Sequence, residues 1–175
     1  MGGKGKSKRK YLAAGLVILM VVGLVDFVRT QNMVQFAYSH FQACLLEYDQ
    51  SLQEYLENGD SGCLENARSA VEHVEHMDEE FLKHTSLSEP FYRKRRKALY
   101  NYLRLLSDYT EWIEEKVSRG IDMEDPVKVL CDGNHEIEEL LVEDSMDYDE
   151  IGMKTQKKVL EIIGQMTGKI HKEME

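Results

Sequence analysis

Proline occurs only twice in the 175 residues, and the chain has only 3 Cys and 1 Trp. Scarce proline, abundant Glu, Lys, Leu and Met and few β-branched runs argue against a β-sandwich, a barrel or a collagen-like repeat. The sequence has no Gly-x-Gly-x-x-Gly motif, Walker loop or Cys-x-x-Cys motif, so no nucleotide or redox site is predicted. No Asn-x-Ser/Thr sequon is present either. We therefore expect an all-α protein that binds no cofactor.

Charge is distributed unevenly along the chain. The net charge is −10, but residues 1–29 carry six basic residues against Asp26, a balance of +5, which leaves −15 for residues 30–175. A strongly acidic body repels the nucleic-acid backbone. We therefore expect no nucleic-acid partner.

The first thirty residues have the composition of a membrane anchor. Five basic residues lie between Lys4 and Lys10, and fifteen uncharged residues follow from Tyr11 to Val25. As a helix, residues 11–28 would extend about 27 Å, close to the ~30 Å hydrocarbon core of a bilayer. A cleaved secretory signal is the alternative, but the segment lacks the small-x-small pattern that cleavage requires. We predict an uncleaved signal-anchor over residues 11–28.

The positive-inside rule then predicts the orientation of the anchor. Five charges precede the apolar segment, and only Arg29 closely follows it. Residues 1–10 should form a basic cytoplasmic tail, and residues 30–175 should lie outside the cytoplasm.

The rest of the chain has the periodicity of packed helices. Apolar residues recur at spacings of three and four, which is typical of a coiled-coil or bundle seam. Short turns between helices favour an antiparallel up-down bundle of four to five helices. We expect the first helix to continue from the anchor to Asn58 and a second helix to run from about Cys63 to Lys83. A third helix, capped by Ser88 and ended by Gly120, should bury a face from Leu99 to Ile113, and a fourth should start with Asp125 as its cap and Pro126 as its first residue. A break near residues 145–152 should precede a final helix at about 152–173, which is either packed on the bundle or only loosely attached. The first seam comprises Val34, Tyr38, Phe41, Leu45, Tyr48, Leu52 and Tyr55.

A run of five basic residues is the first candidate site. It comprises Arg93, Lys94, Arg95, Arg96 and Lys97. One interpretation is a charge clamp against Asp78, Glu79 and Glu80, worth only ~0–1 kcal/mol for each exposed pair. The other is contact with anionic lipid headgroups or an acidic partner near the membrane, where each basic residue gains ~1 kcal/mol.

Three other patterns are better explained by ordinary structure than by catalysis or ligand binding. His73 and His76 lie in an acidic stretch, Glu72–Glu80, that resembles a metal-binding pattern, but we expect it to face solvent rather than the core. Gly59–Gly62 matches the residues around a serine-protease nucleophile, but a polar turn between helices explains it. The tyrosines on the predicted seams could form an aromatic box; a core whose hydroxyls reach its edges is the simpler interpretation.

The three cysteines permit at most one intramolecular disulfide. Cys44 would lie about 22 Å along its helix from the turn that precedes Cys63, against a Cα separation limit of ~7 Å. If a pair forms, we expect Cys63–Cys131; the alternative is three free thiols, with Cys44 packed in the core.

Together these patterns predict a non-enzymatic, membrane-anchored interaction or assembly module. A single anchor and a small extracytoplasmic bundle suit a bacterial envelope protein, such as an accessory subunit of a cell-envelope complex that has a protein partner. The alternative is a ligand-sensing ectodomain that acts through a membrane partner, because ten cytoplasmic residues cannot signal alone.

Overall fold

The computed structural model describes residues 4–72, 89–148 and 151–175. These residues form five α-helices and no β-strand, as the periodicity predicts. The helices are α1 (Lys4–Asn58), α2 (Gly62–Glu72), α3 (Glu89–Ser118), α4 (Glu124–Tyr148) and α5 (Met153–Met174).

Helix α1 joins two chemically different segments without a break. Its large apolar side chains from Leu16 to Val28 are between 49% and 75% exposed. From Val34 onward, the predicted seam is buried through Leu52, and Tyr55 is partly buried. Of the helices described, α1 is the one that is long and apolar enough to cross a membrane, by length and composition.

The turn after α1 forms where the glycine-rich sequence predicts it. Gly59 adopts a positive φ of 67°, and its N–H donates to the carbonyl of Tyr55 at 2.8 Å. Glycine reaches this left-handed conformation without the steric cost that a Cβ would add. The Asp60 carboxylate then accepts a hydrogen bond from the N–H of Gly62 at 2.9 Å, at the first residue of α2.

The turn between α3 and α4 lies close to its predicted position, but α4 begins earlier than predicted. Gly120 ends α3 with a φ of 77°. We predicted that Asp125 caps α4 and that Pro126 is its first residue, but α4 begins at Glu124. The carboxylate that accepts the N–H of Glu124, at 3.0 Å, belongs to Asp122. Pro126 still lies in the first turn, where its missing N–H costs no intrahelical bond.

One hydrophobic cluster receives residues from all five helices. Helix α1 packs against α2, α3 and α4, while α5 packs against α3 and α4. The final helix contributes buried residues to this cluster along most of its length. They are Val159, Ile162, Ile163, Met166 and Ile170.

Several sequence predictions fall outside the described residues. They are the continuation of the second helix from residue 73 to Lys83, the His73 and His76 pattern, the Ser88 cap, and the acidic partners of the proposed charge clamp, Asp78, Glu79 and Glu80. The predicted break near residues 145–152 is confirmed, because α4 ends at Tyr148 and α5 begins at Met153.

Candidate functional site

The basic run lies in the first turns of α3 and is divided between surface and interior. Arg93, Lys94 and Lys97 are exposed, whereas Arg95 is half-buried and Arg96 is buried. The Arg95 guanidinium donates to Oε1 of Gln156 on α5 at 2.9 Å. Three of the five cations therefore remain on the surface, where they are available to an anionic partner.

A polar junction around Ile151 fixes the start of α5. Gln35 of α1 accepts the Ile151 N–H at 2.8 Å and donates to its carbonyl at 3.3 Å. Gln156 donates to the same carbonyl at 2.9 Å and is itself 3% exposed. Together with Arg95, these bonds tie the first turn of α5 to α1 and α3. Sequence reasoning missed the junction because glutamine carries no hydrophobic periodicity.

The second polar feature lies in the core, and we call its three residues, Tyr102, Asn134 and Asp49, the polar chain. The Tyr102 hydroxyl donates to Oδ1 of Asn134 at 2.8 Å, and Nδ2 of Asn134 donates to Oδ1 of Asp49 at 2.8 Å. All three side chains are almost fully inaccessible to solvent. They come from α3, α4 and α1, so the polar chain connects three helices across the bundle.

Burial dominates the electrostatics of Asp49. Removal of its carboxyl from water disfavours the anion and raises its pKa from 3.8 to about 7. The hydrogen bond from Asn134 lowers the pKa, and the charge of Glu138 raises it further. A carboxyl that is ordinarily ionised in water is therefore close to half-protonated at neutral pH.

Two buried tyrosines, Tyr48 and Tyr102, form hydrogen bonds inside the core, whereas the buried hydroxyl of Tyr38 has no hydrogen-bond partner among the described residues. The Tyr48 hydroxyl lies 2.8 Å from Oγ1 of Thr110, which donates to the carbonyl of Leu106. Burial raises the pKa of both Tyr48 and Tyr102, so both stay neutral. We expected the seam hydroxyls to reach the edges of the core, but Tyr48 and Tyr102 form their bonds inside it. Tyr109, bonded to Glu173 near the end of α5, fits that expectation.

All three cysteines are free thiols in the structure. Cys44 and Cys63 are buried, and Cys131 is half-buried on α4. Burial, and to a smaller extent the charge of Asp49, raises the pKa of Cys131 to about 12. Burial also raises the pKa of Cys44, whose sulfur lies 3.7 Å from Nδ1 of His40. Because the thiolate is the nucleophile, neither thiol has the environment of a catalytic cysteine.

The surface between α4 and α5 contains an open groove of about 360 Å³. Its floor includes Leu140 and Ile162, and its rim has four glutamates and one lysine. We call this surface the acidic groove; it is lined by Glu136, Glu139, Leu140, Glu143, Lys158, Glu161, Ile162 and Gln165. No group of three or more His, Cys, Asp or Glu side chains with metal-binding geometry occurs within residues 4–72, 89–148 and 151–175.

Comparison with known proteins provides no relative from which a function could be transferred. The chain matches no protein-family model, no curated protein and no solved structure. Functional inference therefore depends on the exposed apolar segment of α1, the basic run, the acidic groove and the polar chain.

Proposed function

We propose that this protein is a single-pass, membrane-anchored interaction module whose helical body, residues 30–175, lies outside the cytoplasm and binds a protein partner without catalysis. One observation carries the proposal: α1 exposes an apolar surface from Leu16 to Val28, in which Asp26 is the one charged residue, and the same helix then enters the core of the body without a break. An exposed apolar surface of this length is unfavourable in water and is typical of a segment that a bilayer covers.

The orientation of the anchor follows from its flanking charges. Residues 1–10 contain five basic residues and would remain in the cytoplasm as a short tail. The acidic body would then be on the opposite side of the membrane. Arg93, Lys94 and Lys97, near the start of α3, would be close to the bilayer surface and available to anionic headgroups or an acidic partner.

An up-down order of the helices is supported by contacts at the two ends of the body. Gln35, Arg95 and Gln156 belong to one hydrogen-bonded junction, so the parts of α1, α3 and α5 nearest the anchor meet there. At the other end, Tyr109 bonds Glu173, which joins the later parts of α3 and α5. In this arrangement α1, α3 and α5 run away from the membrane, and α2 and α4 return towards it.

The acidic groove is the surface we assign to the partner. Its apolar floor suits one face of an amphipathic helix, and its glutamates favour a partner with Lys or Arg on the flanks of that face. We therefore propose recognition of a basic amphipathic segment.

Topology is tested with two reporters fused after Glu175. A phosphatase that folds only outside the cytoplasm should be active, and a fluorescent protein that folds only inside should be dark. Fluorescence of the second fusion would refute the proposed orientation.

Partner binding is tested by site-specific photo-crosslinking in intact cells. A crosslinker at Gln165, in the acidic groove, should capture a protein through a peptide rich in Lys or Arg. The matched control is a crosslinker at Gln53, an exposed position on α1. Replacing Glu136, Glu139, Glu143 and Glu161 with Gln should abolish the capture, whereas Glu47→Gln with Glu54→Gln should not. Equal capture from Gln165 and Gln53, or capture that survives the four groove substitutions, would contradict the assignment.

A further inference from the structure

The polar chain places an ionisable group where neutral side chains would pack better. Asp49 is 3% exposed and lies between α1 and α4, in a core otherwise made of Leu, Ile, Val and Tyr. An isolated carboxylate in such surroundings is unfavourable unless it is paired with a cation or held by several donors. The hydrogen bond that the structure gives Asp49 comes from one neutral amide, Asn134.

The orientation of that amide is determined by its other neighbour. Tyr102 donates its hydroxyl proton to Oδ1 of Asn134, so the amide oxygen is occupied and the nitrogen faces Asp49. Tyr102 cannot instead accept a proton from the amide without reversing both bonds. The three groups therefore form a directed chain that ends on the Asp49 carboxyl.

The groups that face Asp49 offer no compensating positive charge. On α4 they are Glu138, itself acidic, and Cys131; on α3 the facing group is Tyr102, and on α1 the adjacent one is Tyr48. Glu138 has an oxygen, Oε1, that is buried without a hydrogen-bond partner among the described residues. His135 acts on the pKa of Glu138 rather than on that of Asp49, and it contacts Glu139 at the surface.

We propose that the polar chain is a pH-responsive latch between α1 and α4, closed when Asp49 is protonated and loosened when it ionises. Protonation leaves a neutral chain of hydrogen bonds inside an apolar core. Ionisation puts an unpaired anion beside Glu138, and the anion regains its solvation when α4 moves away from α1. The latch itself requires only the described core, whereas its exposure to environmental pH rests on the proposed extracytoplasmic location.

The direction of the effect follows from the linkage between protonation and folding. The folded pKa of Asp49 is about 7, against 3.8 for the free side chain, so the closed state binds a proton that the open state releases. Stability is then greatest below about pH 4, falls as the pH rises towards 7, and levels off above it. Over the two pH units from 5 to 7, the closed-to-open ratio should fall by about 50-fold.

The test uses the full-length protein in detergent micelles and hydrogen exchange read by mass spectrometry. After correction for the intrinsic exchange rate at each pH, protection of α4 amides should fall by up to about 50-fold between pH 5 and pH 7 and then level off. Asp49→Asn keeps the oxygen that accepts from Asn134 and should make protection independent of pH over this range. Asp108→Asn, at an exposed position on α3, is the matched control and should behave as the unmodified protein does.

Two results would overturn the latch. One is a pH dependence of α4 protection in Asp49→Asn equal to that of the unmodified protein. The other is independent of any variant: in carbon-13 titration of labelled aspartates in the unmodified protein, one carboxyl should have a midpoint near pH 7. If every aspartate titrates below pH 6, Asp49 is not the group proposed. Topology and crosslinking results would not alter either outcome, so failure of the latch is distinguishable from failure of the proposed function.

Discussion

Gly133 lies where α4 approaches α5 most closely, and its replacement by alanine should destabilise the protein. A Cβ built at Gly133 would be 2.4 Å from the sulfur of Met166 and 2.5 Å from its Cε. Met166 is 2% exposed, so the end of its side chain can clear the new Cβ only by repacking against its buried neighbours. Overpacking of this kind costs ~1–3 kcal/mol, and alanine returns ~1 kcal/mol of helix propensity. We expect a net loss of about 1 kcal/mol.

Two glycines of α5 supply controls for the propensity contribution. A Cβ built at Gly164 or Gly168 meets no heavy atom within 4 Å. Both residues lie in the middle of α5 and are exposed to solvent. Gly164→Ala should therefore stabilise the protein by up to ~1 kcal/mol. The free energies of unfolding of the two variants should differ by about 2 kcal/mol, in opposite directions from the unmodified protein.

A double-mutant cycle decides whether Met166 is the cause. In a Met166→Ala background the obstructing sulfur is gone, so Gly133→Ala should become stabilising by ~1 kcal/mol. Urea unfolding followed by circular dichroism, in one detergent at one pH, measures all four corners of the cycle. If Gly133→Ala is as stabilising as Gly164→Ala in the original background, or if its effect does not change sign in the second, the close approach of α4 to α5 is refuted.

Two other predictions follow from the packing and the cysteines. Leu45→Ala and Leu52→Ala remove fully buried side chains of α1, and each should lower the free energy of unfolding by ~2–5 kcal/mol in thermal or urea unfolding. Leu46 is 58% exposed, so Leu46→Ala should change the free energy of unfolding by less than ~0.5 kcal/mol. Equal effects at the three positions would show that the seam is misassigned. Peptide mapping of the non-reduced protein should find three free thiols or a single Cys63–Cys131 link, and a disulfide from Cys44 to either of them would contradict the up-down order.

Hydrophobic spacing predicted the helices and their buried faces because those properties depend on local periodicity. The α1 seam from Val34 to Leu52 and the α3 face from Leu99 to Ile113 are buried as predicted. Turn residues predicted the helix ends for a similar reason, since Gly59 and Gly120 adopt conformations that other residues rarely reach. The start of α4 was placed too late because Asp122 and Asp125 are both acceptable caps, and sequence alone does not rank them.

Polar residues in the core were missed because a periodicity analysis counts apolar positions. Asn134 lies in register with Val127, Leu130, Ile137 and Leu141, so a polar residue interrupts an apolar series at a seam position. That interruption was the available signal, because a buried Asn in a helical seam commonly specifies which helices pair. The sequence around Asp49 did not indicate that this residue is buried. Asp49 directly follows the seam residue Tyr48, at a helical position that periodicity assigns to the solvent-facing side of α1.

The polar chain specifies how α1, α3 and α4 pair, at some expense of stability. The same three residues connect the fold with the proposed regulation by pH. Apolar seams are interchangeable, because a Leu-rich face of α4 could pack against α1 in more than one register. The bonds from Tyr102 to Asn134 and from Asn134 to Asp49 are formed in only one register, since each donor must meet its acceptor. A neutral amide or alcohol opposite Asn134 would specify that register equally well. A carboxyl does so only while it holds its proton, and it therefore makes the pairing of α1 with α4 dependent on pH.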